Sequence, residues 1–100
     1  MEVVLQNLVQ KKIIEIHGNK LLIDTDVAEL YGIETREVNQ AVKNNPEKFP
    51  DGYLIELDAD EKKELIKNFD RFKKLKHSSA PIKGFTERGL YTQIRQVIPQ

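Results

Sequence analysis

Thr35, Arg36, Asn39, Gln40, Lys43 and Asn44 fall on one side of the segment TREVNQAVKNN if that segment is helical. These are the side-chain types that read nucleic acid. Asn and Gln pair bidentately with adenine, Arg pairs with guanine, and Thr or Lys reaches base edges or phosphate. The chemistry they point to is recognition, with Thr35 and Asn44 placed for the backbone and the other four for bases or adjacent phosphates. Glu34 and Glu37 run against this reading. Each repels phosphate unless Arg36 or Lys43 offsets it, or unless it accepts from a cytosine amino group. The plainer reading of the same residues is the solvated outer face of a protein-interaction domain, since polar outer faces are the rule on surface helices.

The elements that must position this face are legible around it. Val38, Ala41 and Val42 form an apolar stripe opposite the polar side chains. Upstream, residues Asp24 to Tyr31 suit a first helix, and small Ala28 allows two helices to cross closely over a short turn. Gly32 supplies that turn, because it takes positive φ without a Cβ clash. Asp24, Thr25 or Asp26 is expected to cap the first helix, with Glu29 answering Asp26 in a capping box. The result is a helix-turn-helix from Asp24 to Asn45, closed by Pro46, which disfavours helical geometry in the residue before it.

On either side the spacing changes. Ile13–His17 and Lys20–Ile23 flank Gly18-Asn19 and read as a β-hairpin. Residues 2–12 suit either a short helix or an extended arm. Pro50-Asp51-Gly52 marks a turn and Tyr53–Leu57 a strand. Asp58 with Glu61 forms a capping box that opens a helix with Leu65, Ile66, Phe69, Phe72 and Leu75 on its apolar side. A loop from His77 to Pro81 follows. Thr86 then caps a last helix carrying Leu90, Tyr91, Ile94 and Val97, closed by Pro99. The fold class is therefore α+β: a helix-turn-helix core with an N-terminal hairpin, one further strand and two further helices.

Composition narrows the function classes. One hundred residues form one small domain, and sixteen basic against sixteen acidic side chains give no global attraction to nucleic acid. The distribution is uneven. The first fifty residues hold six basic and eight acidic side chains, the second fifty ten and eight, and no acid lies between Arg71 and Lys83. Lys73, Lys74 and Lys76 in that stretch are either the solvated end of a helix, favoured by its dipole, or auxiliary phosphate contacts beside the recognition helix. The absence of cysteine excludes disulfides and thiolate zinc sites and fits a reducing cytoplasm. The start has no signal-peptide pattern, and no apolar run approaches a membrane span.

Other constellations carry less. Asp24 and Asp26 form a D-x-D pair, which in some enzymes holds a divalent metal, but no further acid cluster accompanies them and capping is the stronger reading. His17 and His77 lack metal-ligand spacing, and Ser78-Ser79 has only His77 beside it. No catalytic residues, metal or cofactor are expected, and the chain is not read as an enzyme.

Taken in order, Ile16-His17-Gly18, Leu22 to Ile33, Glu34-Thr35, Val38-Asn39, Val42 to Asn45, Phe49-Pro50 and Phe85-Thr86-Glu87 with Gly89 resemble the phage ORF-six N-terminal domain. That family is a relative of the KilA N-terminal domain of bacteriophages and large DNA viruses. The resemblance implies a DNA-binding module at the N-terminus of a longer phage or prophage protein, regulatory or antirepressor-like. Two departures stand out: Asn68 to Ser79 is unusually rich in lysine, and the chain stops at Gln100, short of the family's continuation. The expectation is sequence-specific binding of double-stranded DNA through Thr35 to Asn44, aided by homodimerisation, with no membrane and no small-molecule partner. Replacing Asn39 and Gln40 with Ala is expected to relax sequence preference and leave the fold intact.

Overall fold

Leu21, Leu22 and Ile23 are all buried, so the strand that carries them is covered on both faces. That strand organises the molecule. In the computed structural model, which describes residues 2–90, 96 and 97, it is β2 (Asn19–Ile23), paired with β1 (Ile14–Ile16) on one side. Two later strands complete an antiparallel sheet of order β1-β2-β4-β3, with β3 at Leu54–Glu56 and β4 at Lys83–Phe85. Helices α1 (Glu2–Lys12), α2 (Asp24–Tyr31), α3 (Thr35–Asn44), α4 (Ala59–Asn68) and α5 (Glu87–Leu90) surround it, with 3₁₀ helices at Pro46–Lys48 and Asp70–His77. The fold class is α+β. Residues 2–12 are helical, which resolves the choice left open above.

Alternation along β2 sends its side chains into two cores. Leu22 joins Val9, Val27, Ala28, Val38, Val42 and Phe85 on the side of α1, α2 and α3. Leu21 and Ile23 join Ile14, Ile16, Leu57, Leu65, Phe72 and Ile82 on the side of α4. Gly84 pairs with Ile23, and a Cβ there would stand 3.0 Å from Leu21 Cδ1, so the strand crossing requires glycine.

Several sequence expectations shift by small but informative amounts. The hairpin turn is His17-Gly18 and not Gly18-Asn19: both central residues have positive φ, 49° and 83°, and Asn19 pairs with Ile16. This is the two-residue turn whose twist matches the strands. β4 was not expected at all. Three residues including a glycine carry no alternation, and the strand exists because β2 and β3 both bond to it. The Asp58 and Glu61 capping box forms as expected, but α4 stops at Asn68 and a separate 3₁₀ helix follows. Its three-residue period puts buried Phe72 and half-buried Leu75 on one face and turns Lys73, Lys74 and Lys76 outward.

The C-terminal helix begins at Glu87 as expected. Tyr91, Ile94 and Pro99 lie outside the described residues. Thr86 donates its hydroxyl to the Gly52 carbonyl at 2.6 Å, tying the start of α5 to the turn before β3. Among the described residues, no helix is long and apolar enough to cross a membrane.

Candidate nucleic-acid interface

The helix-turn-helix is built on a strand that runs into α2 with no loop between them. Ile23 is the N-cap and makes no side-chain capping bond. The expectation that Asp24, Thr25 or Asp26 caps this helix, with Glu29 closing a box, is therefore corrected. Asp24 and Asp26 are both 2% exposed, and Glu29 pairs with Lys12 of α1 at 3.6 Å. The carboxylates face inward because each has a partner far along the chain. Gly32 does end α2 in the left-handed region, at φ 67°, with its N–H donating to Ala28 and Glu29 carbonyls.

α3 spans Thr35–Asn44, with Val38, Ala41 and Val42 buried. Its two N-terminal acids, discordant on sequence grounds, have local work. Glu37 accepts from the Glu34 N–H at 2.9 Å, satisfying an orphan donor of the first turn. Glu34 accepts from Arg36 Nε at 2.6 Å, and this carboxylate holds the Arg36 guanidinium more firmly protonated. Both side chains of that pair are exposed, so the bond is weak and open to exchange.

The six polar residues of α3 are not equivalent. Arg36, Gln40, Lys43 and Asn44 are exposed, and Gln40 donates to Asn44 across one turn at 3.0 Å. Thr35 and Asn39 are half-buried. Asn39 donates from Nδ2 to Asp24 Oδ2 at 3.1 Å, and the Lys83 N–H donates to the same oxygen at 3.3 Å. One buried carboxylate thus joins α2, α3 and β4. Burial pushes its pKa up from the ordinary 3.8, against the pull of the Asn39 and Lys83 hydrogen bonds. Replacing Asn39 removes a partner of Asp24, so Asn39 acts on the fold as well as on the surface.

Between the exposed side of α3 and residues 78–83 lies an open cleft of about 430 Å³. Thr35, Arg36, Asn39, Gln40 and Lys43 line one wall. The other wall is mainly apolar, with Leu75, Ala80, Pro81 and Ile82, and ends at Lys83. Sequence reasoning placed Lys83 at the end of the basic, acid-free stretch read either as a solvated helix end or as an arm touching phosphate; its place opposite α3 follows from the pairing of β4. Lys73, Lys74 and Lys76 do not line the cleft. Lys73 pairs with Asp70 at 3.0 Å.

A second, partly buried contact holds the 3₁₀ helix. Arg71 donates from Nη2 to Asp26 Oδ2 at 3.1 Å and to the Lys12 carbonyl at 3.2 Å, with its guanidinium carbon 4.6 Å from the Phe72 ring centre. His17 lies beside Glu64, Nε2 to Oε2 3.7 Å. Among the described residues, no group of three or more His, Cys, Asp or Glu side chains is placed to hold a metal ion. No curated protein and no solved structure matches the chain. The profile of the ORF6N domain matches residues 11–95, and with most of its length so covered the chain belongs to the ORF6N domain family.

Proposed function

We propose that this chain binds double-stranded DNA sequence-specifically, with α3 in the major groove, as part of a phage-type regulatory or antirepressor-like protein of the cytoplasm. The observation that carries the reading is the division of labour on α3. Arg36, Gln40 and Lys43 stand exposed opposite the buried stripe, while Glu37 is engaged at the helix's own N-terminus and Glu34 with Arg36. Membership of the ORF6N family supports it.

In this reading Arg36 and Gln40 read base edges and Lys43 reads a base or an adjacent phosphate, with Thr35 and Asn44 on the backbone. Asn39 donates to Asp24 and its carboxamide oxygen is buried, so what it offers a base is limited at most to its second amide N–H. Lys73, Lys74 and Lys76 add phosphate contacts that carry no sequence information. A chain with balanced charge binds weakly alone, so a homodimer is expected, with half-sites about one helical turn, roughly 34–36 Å, apart. No catalytic step or cofactor enters the reading.

The test is a titration of duplex affinity against salt. Affinity should fall steeply between about 50 and 200 mM, as phosphate contacts require. Binding indifferent to salt, or no duplex binding at all, contradicts the proposal.

A further inference from the structure

The cleft beside α3 has chemistry that base reading alone leaves unused. Its charged lining is Arg36, Lys43 and Lys83 against a single acid, Asp24. Asp24 lies at the buried end, already bonded to Asn39 and to the Lys83 N–H. In a chain whose charges balance overall, this lining is cationic. The wall facing α3 is apolar where Ala80 and Pro81 are exposed, Ile82 itself being buried.

Dimensions identify what would pass between the two walls. An α-helix with its side chains is about 10–12 Å across, and the major groove of B-DNA is about 12 Å wide. A helix seated there fills the groove. Whatever stands beside the helix then meets the sugar–phosphate backbone that borders the groove. Residues 78–83 stand beside α3 in that sense, separated from it by the cleft.

We propose that the cleft between α3 and residues 78–83 receives one sugar–phosphate strand of the bound duplex, with Lys83 contacting phosphate opposite Arg36 and Lys43. The inference rests on α3 being the recognition helix. The apolar wall at exposed Ala80 and Pro81 faces the deoxyribose, which offers carbon surface and no charge, while the cations take the phosphates on either side. Lys83 is positioned for this by β4: its backbone N–H is fixed to Asp24, and its half-buried side chain, whose charge acts on Asp24, lines the cleft. The main phosphate clamp is thereby assigned to the cleft, ahead of the lysines of the 3₁₀ helix.

The test compares salt dependence of duplex binding for the intact chain and for Lys83→Gln, Lys83→Arg and Lys63→Gln. Lys63 is exposed on α4 and does not line the cleft. Each phosphate contact contributes about 0.9 to the slope of log affinity against log salt. Lys83→Gln should lower that slope by about one, Lys83→Arg should keep it, and Lys63→Gln should leave it unchanged. An unaltered slope in Lys83→Gln overturns the cleft assignment while leaving DNA binding in place. An unaltered chain that binds no duplex overturns the recognition reading as well, so the two failures are told apart.

Discussion

The first turn of α2 buries two aspartates, and the two regions they reach handle buried charge differently. Asp24 turns toward α3 and β4, where its oxygen accepts from neutral donors, the Asn39 carboxamide and the Lys83 N–H, and the Lys83 ammonium adds only a weaker Coulombic pull. Asp26 turns toward the 3₁₀ helix and is met by a full charge, Arg71, which also stacks on Phe72. A carboxylate held by neutral donors keeps a desolvation cost, whereas one paired with a guanidinium depends on that partner staying in place. The α3 region is therefore adjustable by pH and by changes that leave the backbone alone. The 3₁₀ region is a clamp whose loss disturbs the fold.

Breaking the clamp should have the largest effect. Arg71→Ala leaves Asp26 buried without its countercharge and strips packing from Phe72. The expected loss is about 3 kcal/mol in a urea unfolding curve, the low end of the ~3–5 kcal/mol for broken buried pairs, because water reaches the partly exposed guanidinium. The Arg71 side chain is 36% exposed and that of Asp26 4%. A loss below about 1 kcal/mol would make the two aspartates alike and remove the contrast.

A smaller, pH-dependent effect is expected at Asp24. Its folded pKa is raised, so the folded state holds the proton more tightly than the unfolded chain does. The stability this contributes is fully present below the ordinary value of 3.8 and is lost as pH rises through the folded value. Asp24→Asn keeps one carbonyl oxygen able to accept from both Asn39 and Lys83, and has no charge to desolvate. Unfolding measured across pH should show the variant gaining on the unaltered chain as pH rises from about 3 to 7. A constant difference across that range would mean that Asp24 is not the titrating group.

The same contrast marks what was legible beforehand. α3 could be bounded at Thr35 and Asn44 because its apolar stripe, the turn glycine and the following proline act within a few residues of each other. The buried roles of Asp24 and Asp26 could not be read, because their partners Lys83 and Arg71 lie 59 and 45 residues away. An aspartate before a helix has a common local use as a cap, and nothing nearby in sequence argues against it. β4 was hidden for the same reason: its strand character comes from two neighbours, not from its own Lys-Gly-Phe. The face bearing Phe72 and Leu75 was expected to follow an α-helical period, and a 3₁₀ period orders it instead. Of the candidate site, the residue types on α3 were visible. The unequal burial of Asn39 and Gln40, and the cleft with Lys83 across it, were products of the tertiary fold.

The central claim is that α3 reads sequence, and selection from a random pool of DNA duplexes tests it most directly. The intact chain and a variant carrying Arg36→Ala and Gln40→Ala would be compared, both positions being exposed and outside the Asp24 network. The account predicts an enriched motif for the intact chain and loss of preference at one or two positions of that motif for the variant, at about 1–3 kcal/mol per lost base contact. No enriched motif, or the same motif from both proteins, would contradict it.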